Sequence, residues 1–253
     1  EILHLERAAQ DGTAEAWLPP SLKGILDAGR EGLDLVRRIV NRVEALSPSQ
    51  QAQLRGQGAL LPSSTPLLAP IANPSLFVSA GHAYRSHVNE MKSQAPKTPQ
   101  GFLKAPGAIV GPQADVPLPQ QCPDHVDFEG EICAVIGRRC HNVQPDEAMN
   151  CIAGYTLTND VSARDWVPEI AKAKTTPEAR AAWDLNHMGK QLPAFAPLGP
   201  ALVTADEVDP GNLDLTTRLN GEVMQNANTA DLIFTVAETL SFFSRWYEFR
   251  PGD

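Results

Sequence analysis

The chain has 253 residues, of which 42% are hydrophobic, so it can form one large domain or a small and a medium one. Its formal net charge of −9 argues against a nucleic-acid-binding protein, which would present a basic face. No apolar run reaches the ~18 residues of a membrane-spanning helix, and no signal-peptide pattern opens the chain.

Residues 1–70 are predicted to form a small N-terminal region that contains helices. Ser21 is a plausible N-cap, and apolar residues at helical spacing follow it. Gly29 and Gly32 predict a break between two helices. Residues 47–75 are rich in Pro, Ser and Gln, which predicts an irregular connection onto a larger domain.

Residues 71–253 form the predicted larger domain, since short apolar or alternating segments there are separated by turn residues. Asn220 and Gly221 lie between two such segments and predict a tight hairpin. A helix is predicted to begin near Gln144 or Asp146. Further strands are predicted at 75–81, 102–112, 128–137, 152–157 and 201–208, and further helices at 83–94 and 229–249.

These elements predict a mixed, largely antiparallel sheet with peripheral helices, which is an α+β fold that is predominantly β. No glycine-rich phosphate loop and no internal repeat is visible in the sequence. The cysteines contain no CxxC pair, which favours free, mostly buried thiols and a reducing, cytoplasmic location. They are Cys122, Cys133, Cys140 and Cys151.

Acidic residues interrupt the strand-like segment 126–137, where Asp127, Glu129 and Glu131 alternate with other residues. In a strand these acids would share a face and repel one another. A divalent cation held by Glu129, Glu131 and Asp160 would neutralise them. Oxygen-only ligands favour Mg²⁺ or Mn²⁺, with Ca²⁺ as an alternative. From these residues alone, a solvated strand face remains the competing interpretation.

A candidate acid–base pair lies upstream, because His87 and Glu90 are three residues apart and would share a face of the predicted helix. A carboxylate beside an imidazole raises its basicity, so the pair could take a proton from water. The alternative is an ordinary pair on a surface helix. Four other histidines are predicted to be structural or exposed: His82, His125, His141 and His187.

Two basic residues are candidates for binding an anionic substrate group. Arg164 follows Asp160 by four residues, so it can flank the same pocket. Lys190 precedes a Pro-rich strand entry and could supply a second cation. A solvent-facing salt bridge is the alternative for each of them.

Several segments, taken in order, resemble the fumarylacetoacetate hydrolase family over residues 75–253. They include "AYRSHVNEM", "FLKAP", "VDFEGEICAVIG", "AGYTLTNDVSARD" and "RPGD". The resemblance implies a mixed β-sandwich or β-roll catalytic domain with peripheral helices, preceded by the small N-terminal region. It also implies a homodimer that acts on a small-molecule substrate.

The same resemblance implies roles for individual residues. It supports Glu129, Glu131 and Asp160 as metal ligands. It makes His87 and Glu90 the catalytic dyad on a mobile lid helix. The residues that it places towards substrate are Tyr84, Arg164 and Lys190, and Lys190 would also act in catalysis.

The family acts on 1,3-dicarbonyl or 2-oxo acids, so the leading hypothesis is a metal-dependent hydrolase that cleaves a carbon–carbon bond in an acylpyruvate-type compound. In that reaction the dyad activates water and the metal stabilises an enolate. The alternative is a lyase on the same scaffold: an oxaloacetate decarboxylase, or a dehydratase or isomerase of a 2-oxo acid. A non-catalytic binding protein is a third hypothesis.

Departures from the family pattern bear on substrate choice. Ala83 stands where the family often has Asn, and Val167 stands where long eukaryotic members carry Gln. The segment 167–188 is longer than expected and borders the predicted site. The ending "RPGD" predicts that the natural chain continues into a further strand and a substrate-contacting loop.

Overall fold

The computed structural model describes residues 2–3 and 19–253. Residues 1 and 4–18 of the predicted N-terminal region lie outside the described part. The chain divides into two compact units. One comprises residues 1–67 with Gly252, and the other comprises residues 68–251 with Asp253.

The first unit contains a short antiparallel strand pair and a group of helices. Strand β1 (Ile2–Leu3) pairs with β2 (Leu60–Leu61). The helices are α1 (Leu22–Asp27), α2 (Gly29–Glu44) and α3 (Pro48–Gly56). Their buried apolar residues form one cluster, which comprises Ile25, Ile39, Val43, Leu54, Ala59 and Leu60.

Local sequence explains where these helices begin. The Ser21 hydroxyl accepts a hydrogen bond from the Gly24 N–H at 3.1 Å and caps α1, as predicted. Gly29 has a φ of +62°, which favours glycine and marks the predicted break. Gly32, however, lies inside α2. An added Cβ there would lie 2.4 Å from the Ile25 carbonyl oxygen, so close packing of α1 against α2 requires this glycine.

The expectation of an irregular connection over 47–75 is wrong in its first part, because α3 occupies Pro48–Gly56. Ser47 and Gln50 form a capping box, in which the Ser47 N–H donates to Gln50 Oε1 at 3.0 Å. Proline is compatible with the first turn of a helix, since no intrahelical partner is needed for its nitrogen. The capping chemistry therefore outweighs the Pro- and Ser-rich composition.

The second unit is built on a four-stranded sheet, whose strands in spatial order are β5 (Ile109–Val110), β10 (Ala196–Thr204), β8 (Ile152–Asn159) and β7 (Gly130–Ile136). Strand β10 runs antiparallel to β8, and β8 runs antiparallel to β7, whereas β5 is parallel to β10. The prediction of a mixed, largely antiparallel sheet is confirmed.

Smaller strand pairs and peripheral helices surround this sheet. The pairs are β3 (Val78–Gly81) with β4 (Gln100–Leu103), β6 (Val126–Asp127) with β9 (Ser162–Ala163), and β11 (Asp214–Leu219) with β12 (Glu222–Asn228). The helices are α4 (Arg85–Glu90), α5 (Pro145–Ala148), α6 (Val167–Lys172), α7 (Thr176–Met188) and α8 (Val236–Ser244).

Several local predictions agree with these bounds. Gln144 is the N-cap residue of α5. The hairpin turn between β11 and β12 lies at Asn220 and Gly221, whose φ values are 51° and 88°. Both angles are in the left-handed region that such turns require. The free cysteines Cys122, Cys140 and Cys151 are buried, as predicted.

The prediction of one strand over 102–112 is wrong. Strand β4 ends at Leu103, a 3₁₀ turn covers Pro106–Ala108, and β5 begins at Ile109. Pro106 cannot donate a ladder hydrogen bond and favours the first turn of a helix. The chain therefore leaves one sheet after Leu103 and enters another at Ile109.

Candidate active site

The acidic segment is not one strand, contrary to the prediction. Strand β6 ends at Asp127 and β7 begins at Gly130. Side chains bind the backbone between them: the Phe128 N–H donates to Asp127 Oδ1 at 2.9 Å, and the Glu129 N–H donates to Asn159 Oδ1 at 2.9 Å. These side-chain contacts, one local and one from Asn159 on β8, orient the acids in place of strand alternation.

Arg164 neutralises two of the acids. Its Nε donates to Asp127 Oδ2 at 2.9 Å, and its Nη2 donates to Glu129 Oε1. Arg164 follows directly after β9, the strand that pairs with β6, so the sheet places the guanidinium opposite the carboxylates. Among the described residues, the observed partners of this arginine side chain are acids of the protein. The predicted substrate contact of Arg164 therefore remains a prediction.

Lys190 lies between two of the predicted metal ligands. Its Nζ is 2.6 Å from Glu129 Oε2 and 3.1 Å from Asp160 Oδ2. Asp160 directly follows β8, and its N–H donates to the Glu129 carbonyl oxygen at 2.8 Å. The structure thus brings Glu129, Asp160 and Lys190 together, although they are far apart in sequence.

Lys104 is a further member of this cluster that sequence reasoning missed. Its Nζ donates to Asp160 Oδ1 at 2.5 Å, and its side chain is only 1% exposed. Burial acts to lower the pKa of Lys104, and the Asp160 carboxylate acts in the opposite direction, with a net pKa below the ordinary value. The one available signal was its position in "FLKAP", a segment that resembles the family.

Glu131 lies close to this cluster, although no close ion pair of Glu131 is seen among the described residues. Burial raises its pKa to about 8, the nearby Glu129 and Asp160 carboxylates add to this shift, and the Lys190 ammonium acts to lower the pKa. Burial also raises the pKa of Tyr84 to about 12, with Glu131 as the next cause. Glu131 is therefore within electrostatic reach of Glu129, Asp160, Lys190 and Tyr84.

The three predicted metal ligands fit a hard divalent cation in their donor chemistry, because all their donors are carboxylate oxygens. Glu129 and Asp160 already share one cationic group, the Lys190 ammonium. In the described ranges, no three Asp, Glu, His or Cys side chains converge closely enough to form a preassembled metal site. The metal assignment therefore remains a prediction that two of the three acids support by their geometry.

A cavity of about 210 Å³ borders the cluster at Glu131 and Ser79. Ser79 connects the two, since its hydroxyl donates to Asp160 Oδ2 at 3.1 Å. Tyr84 also lines the cavity, as its predicted substrate contact requires. Most of the remaining wall is apolar and includes Val78, Ile132, Ala134, Val236, Leu240 and Phe243.

The predicted dyad lies on α4 but outside the residues that line this cavity. His87 Nδ1 is 3.8 Å from Glu90 Oε2, and the two side chains are 55% and 82% exposed. The N-terminal end of α4 is held by Asp231, whose Oδ2 accepts from the Ser86 N–H at 2.8 Å. The pair is thus close enough to interact, but its position in this structure is on the surface.

The stacked rings of Phe102 and His187 lie beside Lys190. The Phe102 ring stacks on the His187 ring with a centroid distance of 5.4 Å. Lys190 Nζ lies 5.6 Å from the centroid of the Phe102 ring. His187 is therefore a packing partner near the site, in line with its predicted structural role, and α7 contributes to the wall beside Lys190.

The raised pKa of Glu131 predicts how the stability of the metal-free protein depends on pH. The folded pKa of about 8 exceeds the ordinary value of 4.5, so the folded state binds the proton more tightly. This contribution to stability is fully present below the unfolded pKa and is lost as the pH rises through about 8.

We expect thermal denaturation in EDTA to show this loss for the wild type and a smaller loss for Glu131→Gln. The amide of the variant carries no titratable proton, so the difference between the two proteins isolates Glu131. If the melting temperatures of the two proteins changed in parallel from below pH 4.5 to above pH 8, the assignment would be contradicted.

A comparison with family models matches residues 77–253 to the model described as fumarylacetoacetate (FAA) hydrolase C-terminal. The mitochondrial oxaloacetate tautomerase FAHD2A of Bos taurus is 37% identical over 241 residues. That match covers 94% of this chain and 68% of the bovine protein. No helix among the described residues has both the length and the apolar character needed to cross a bilayer.

Two solved structures agree with this result. A 5-carboxymethyl-2-hydroxymuconate delta-isomerase from Mycobacterium smegmatis has a TM-score of 0.61 and 37% identity, covering 74% of this chain and 68% of its own. A fumarylacetoacetate hydrolase from Exiguobacterium antarcticum has a TM-score of 0.70 and 28% identity, and the match covers 93% of this chain and 73% of the Exiguobacterium chain. These matches confirm the predicted family and the predicted α+β fold class.

Proposed function

Because the chain belongs to the fumarylacetoacetate hydrolase family, we propose that it is an enzyme that isomerises a 2-oxo acid between its keto and enol forms. The relative at 37% identity over nearly the whole chain is named an oxaloacetate tautomerase, and a structure at the same identity is named an isomerase. This proposal takes up the alternative that the sequence left open and ranks it above the hydrolase.

The observation that carries the proposal is the position of Lys190 compared with that of the dyad. Lys190 Nζ lies among the carboxylates of Glu129 and Asp160, where a 2-oxo acid would meet a proton donor and acceptor. The His87–Glu90 pair, which hydrolysis would need for water activation, lies on the surface and outside the cavity lining. Enolisation needs a proton transfer and no nucleophilic water.

Three residues near the cavity have separate roles in the proposed reaction. The Lys190 ammonium donates a proton to the substrate carbonyl oxygen, and the neutral amine that this leaves takes a proton from the carbon next to the carbonyl, so the enol forms and the ammonium is restored. Arg164 binds the carboxylates of both Asp127 and Glu129, and this keeps Glu129 oriented. Tyr84 remains protonated at neutral pH because its pKa is about 12, so its hydroxyl can donate a hydrogen bond to a substrate oxygen.

Glu129, Glu131 and Asp160 are the residues that would hold Mg²⁺ or Mn²⁺, which when bound supplies Lewis-acid polarisation of the substrate carbonyl. The homodimer and the cytoplasmic location remain predictions. The name of the bovine relative includes "mitochondrial", which describes that protein.

Hydrolysis of an acylpyruvate is the second candidate. The 3.8 Å approach of His87 to Glu90 favours it, because this is the pair that would activate water after closure of α4 over the site. Active-site contacts often tighten only when substrate binds.

The test is a substrate panel with Mg²⁺ or Mn²⁺, in which loss of enol absorbance is followed for oxaloacetate and cleavage is followed for acetylpyruvate. We expect rapid keto–enol conversion of oxaloacetate, with pyruvate formation monitored separately to detect decarboxylation. The His87→Ala variant should retain the conversion, because Lys190 rather than the dyad carries the proton.

Ser49→Ala, an exposed change in the first unit, is the matched control. Faster cleavage of acetylpyruvate than conversion of oxaloacetate, together with loss of that cleavage in His87→Ala, would replace the isomerase by the hydrolase. Pyruvate release at the rate of enol loss would identify a decarboxylase instead.

A further inference from the structure

The Lys104 ammonium group donates hydrogen bonds to two different parts of the candidate site. Its Nζ donates to Asp160 Oδ1 at 2.5 Å and to the Lys190 backbone carbonyl oxygen at 2.6 Å. A buried lysine requires such partners, because an uncompensated charge in a low-dielectric interior is strongly unfavourable. One of the two acceptors is a main-chain atom, whose position the fold determines.

Lys190 differs from Lys104 in its partners. Its Nζ contacts Glu129 Oε2 and Asp160 Oδ2. Both carboxylates are proposed ligands of the divalent cation. Binding of that cation would compete directly with Lys190 for these oxygens. Lys104 instead uses Asp160 Oδ1 and a carbonyl group, so its contacts are compatible with a cation at Oδ2.

The β3–β4 pair positions two residues that contact Asp160, namely Lys104 and Ser79. The Lys104 N–H donates to the Phe77 carbonyl oxygen at 2.7 Å, which fixes the backbone just after β4. Ser79 on β3 lies opposite Phe102 on β4 and donates to Asp160 Oδ2 at 3.1 Å. Ser79 on this strand pair and Lys104 directly after it therefore contact the two oxygens of Asp160.

We propose that Lys104 is a positioning residue that fixes the orientation of the Asp160 carboxylate and its distance from the Lys190 backbone, while Lys190 is the exchangeable cation of the pair. Lys104 keeps Oδ1 engaged, whereas Oδ2 accepts from Ser79 and from Lys190, and the Lys190 contact is the one that a bound cation would replace. This inference rests on the proposed function, because it assumes that Asp160 is a metal ligand.

The experiment measures Mn²⁺ binding to the full chain by calorimetry, with the electron paramagnetic resonance spectrum of bound Mn²⁺ as a second readout. Outer contacts of metal ligands typically change metal affinity by about 10–100-fold. We expect Lys104→Met to weaken Mn²⁺ binding by about this factor and to alter the spectrum. Lys190→Met should bind Mn²⁺ at least as tightly as the wild type, because a competing cation is removed.

Lys172→Met is the matched control, since this exposed lysine pairs with Glu169 and its removal changes the net charge equally. Lys104→Gln, which retains a hydrogen-bond donor, replaces Lys104→Met if the latter does not fold. Unchanged or tighter Mn²⁺ binding in the folded Lys104 variant would overturn the proposal. So would an equal loss of affinity in Lys190→Met, because the two lysines would then have the same role.

The two proposals fail in different ways. A wild-type protein that binds Mn²⁺ but does not convert oxaloacetate contradicts the isomerase and leaves the role of Lys104 intact. A wild-type protein that binds no Mn²⁺ removes Asp160 as a metal ligand and overturns the role of Lys104. A variant that merely loses stability would show a lower melting temperature with normal Mn²⁺ affinity when folded, and this also contradicts positioning.

Discussion

Replacing Asp160 with Asn is expected to lower the free energy of unfolding by about 3–5 kcal/mol, the usual cost of breaking a buried ion pair on one side. Asp160 is buried and accepts hydrogen bonds from Lys104 at 2.5 Å and from Lys190 at 3.1 Å. The amide would leave two buried ammonium groups near one another: Lys190 would keep the Glu129 carboxylate, while Lys104 would keep the uncharged Lys190 carbonyl oxygen.

The pKa of Asp160 supports this expectation. Burial acts to raise it, but the Lys104 and Lys190 ammonium groups outweigh burial and hold the pKa below its ordinary value. Asp160 is therefore ionised at neutral pH. Its contribution to stability is present above the unfolded pKa and is lost as the pH falls through the lower folded pKa.

The measurement is urea and thermal denaturation of Asp160→Asn beside the wild type. For a chain of this size, a change of 1 kcal/mol shifts the melting temperature by about 2–4 °C, so a fall of roughly 6–20 °C is expected. Asp115→Asn, an exposed change of the same type, is the control and should leave the melting temperature unchanged. Equal melting temperatures for all three proteins would mean that the carboxylate does not balance the lysines.

Replacing Lys190 with Met is expected to lower kcat by about 10²–10⁴-fold, the usual contribution of a positioned proton donor and acceptor. The fold should tolerate this change better than Asp160→Asn, because each acid that Lys190 contacts keeps another cation. Glu129 retains Arg164, and Asp160 retains Lys104. Loss of activity should thus occur with a much smaller loss of stability.

The rate of enol loss from oxaloacetate and the melting temperature, measured on the same preparation, separate these effects. Lys172→Met serves again as the control, since it removes one exposed lysine of α6. Turnover at the wild-type rate in Lys190→Met would show that another group moves the proton. Full rescue by Lys190→Arg would show that only a positive charge is needed, because an arginine does not release its proton.

Local features of the fold could be predicted from the sequence because their causes lie within a few residues. Ser21 caps α1 through the Gly24 N–H three residues away, and Asn220 with Gly221 supplies the left-handed turn between β11 and β12. One error arose where two local signals competed: at Pro48, helix-start chemistry outweighed a composition typical of loops.

The candidate site was predictable only in part. The resemblance identified the residue types, and the structure places the Lys190 ammonium within hydrogen-bond distance of both Glu129 and Asp160. The orientation of the acids was not predictable from strand alternation, because the break between β6 and β7 depends on Asn159 and Gln225. These residues bind the Glu129 and Gly130 N–H groups from sequence separations of 30 and 95 residues.

By itself the sequence determined the family, the mixed and largely antiparallel architecture, and a set of acids that require neutralisation. Only the tertiary structure decided which cations neutralise them. Arg164 serves Asp127 and Glu129, while Lys104 serves Asp160 from a distance of 56 residues along the chain. The physical reason is that a buried charge takes its partner from whichever strand end lies beside it in space, and sequence spacing does not carry that information.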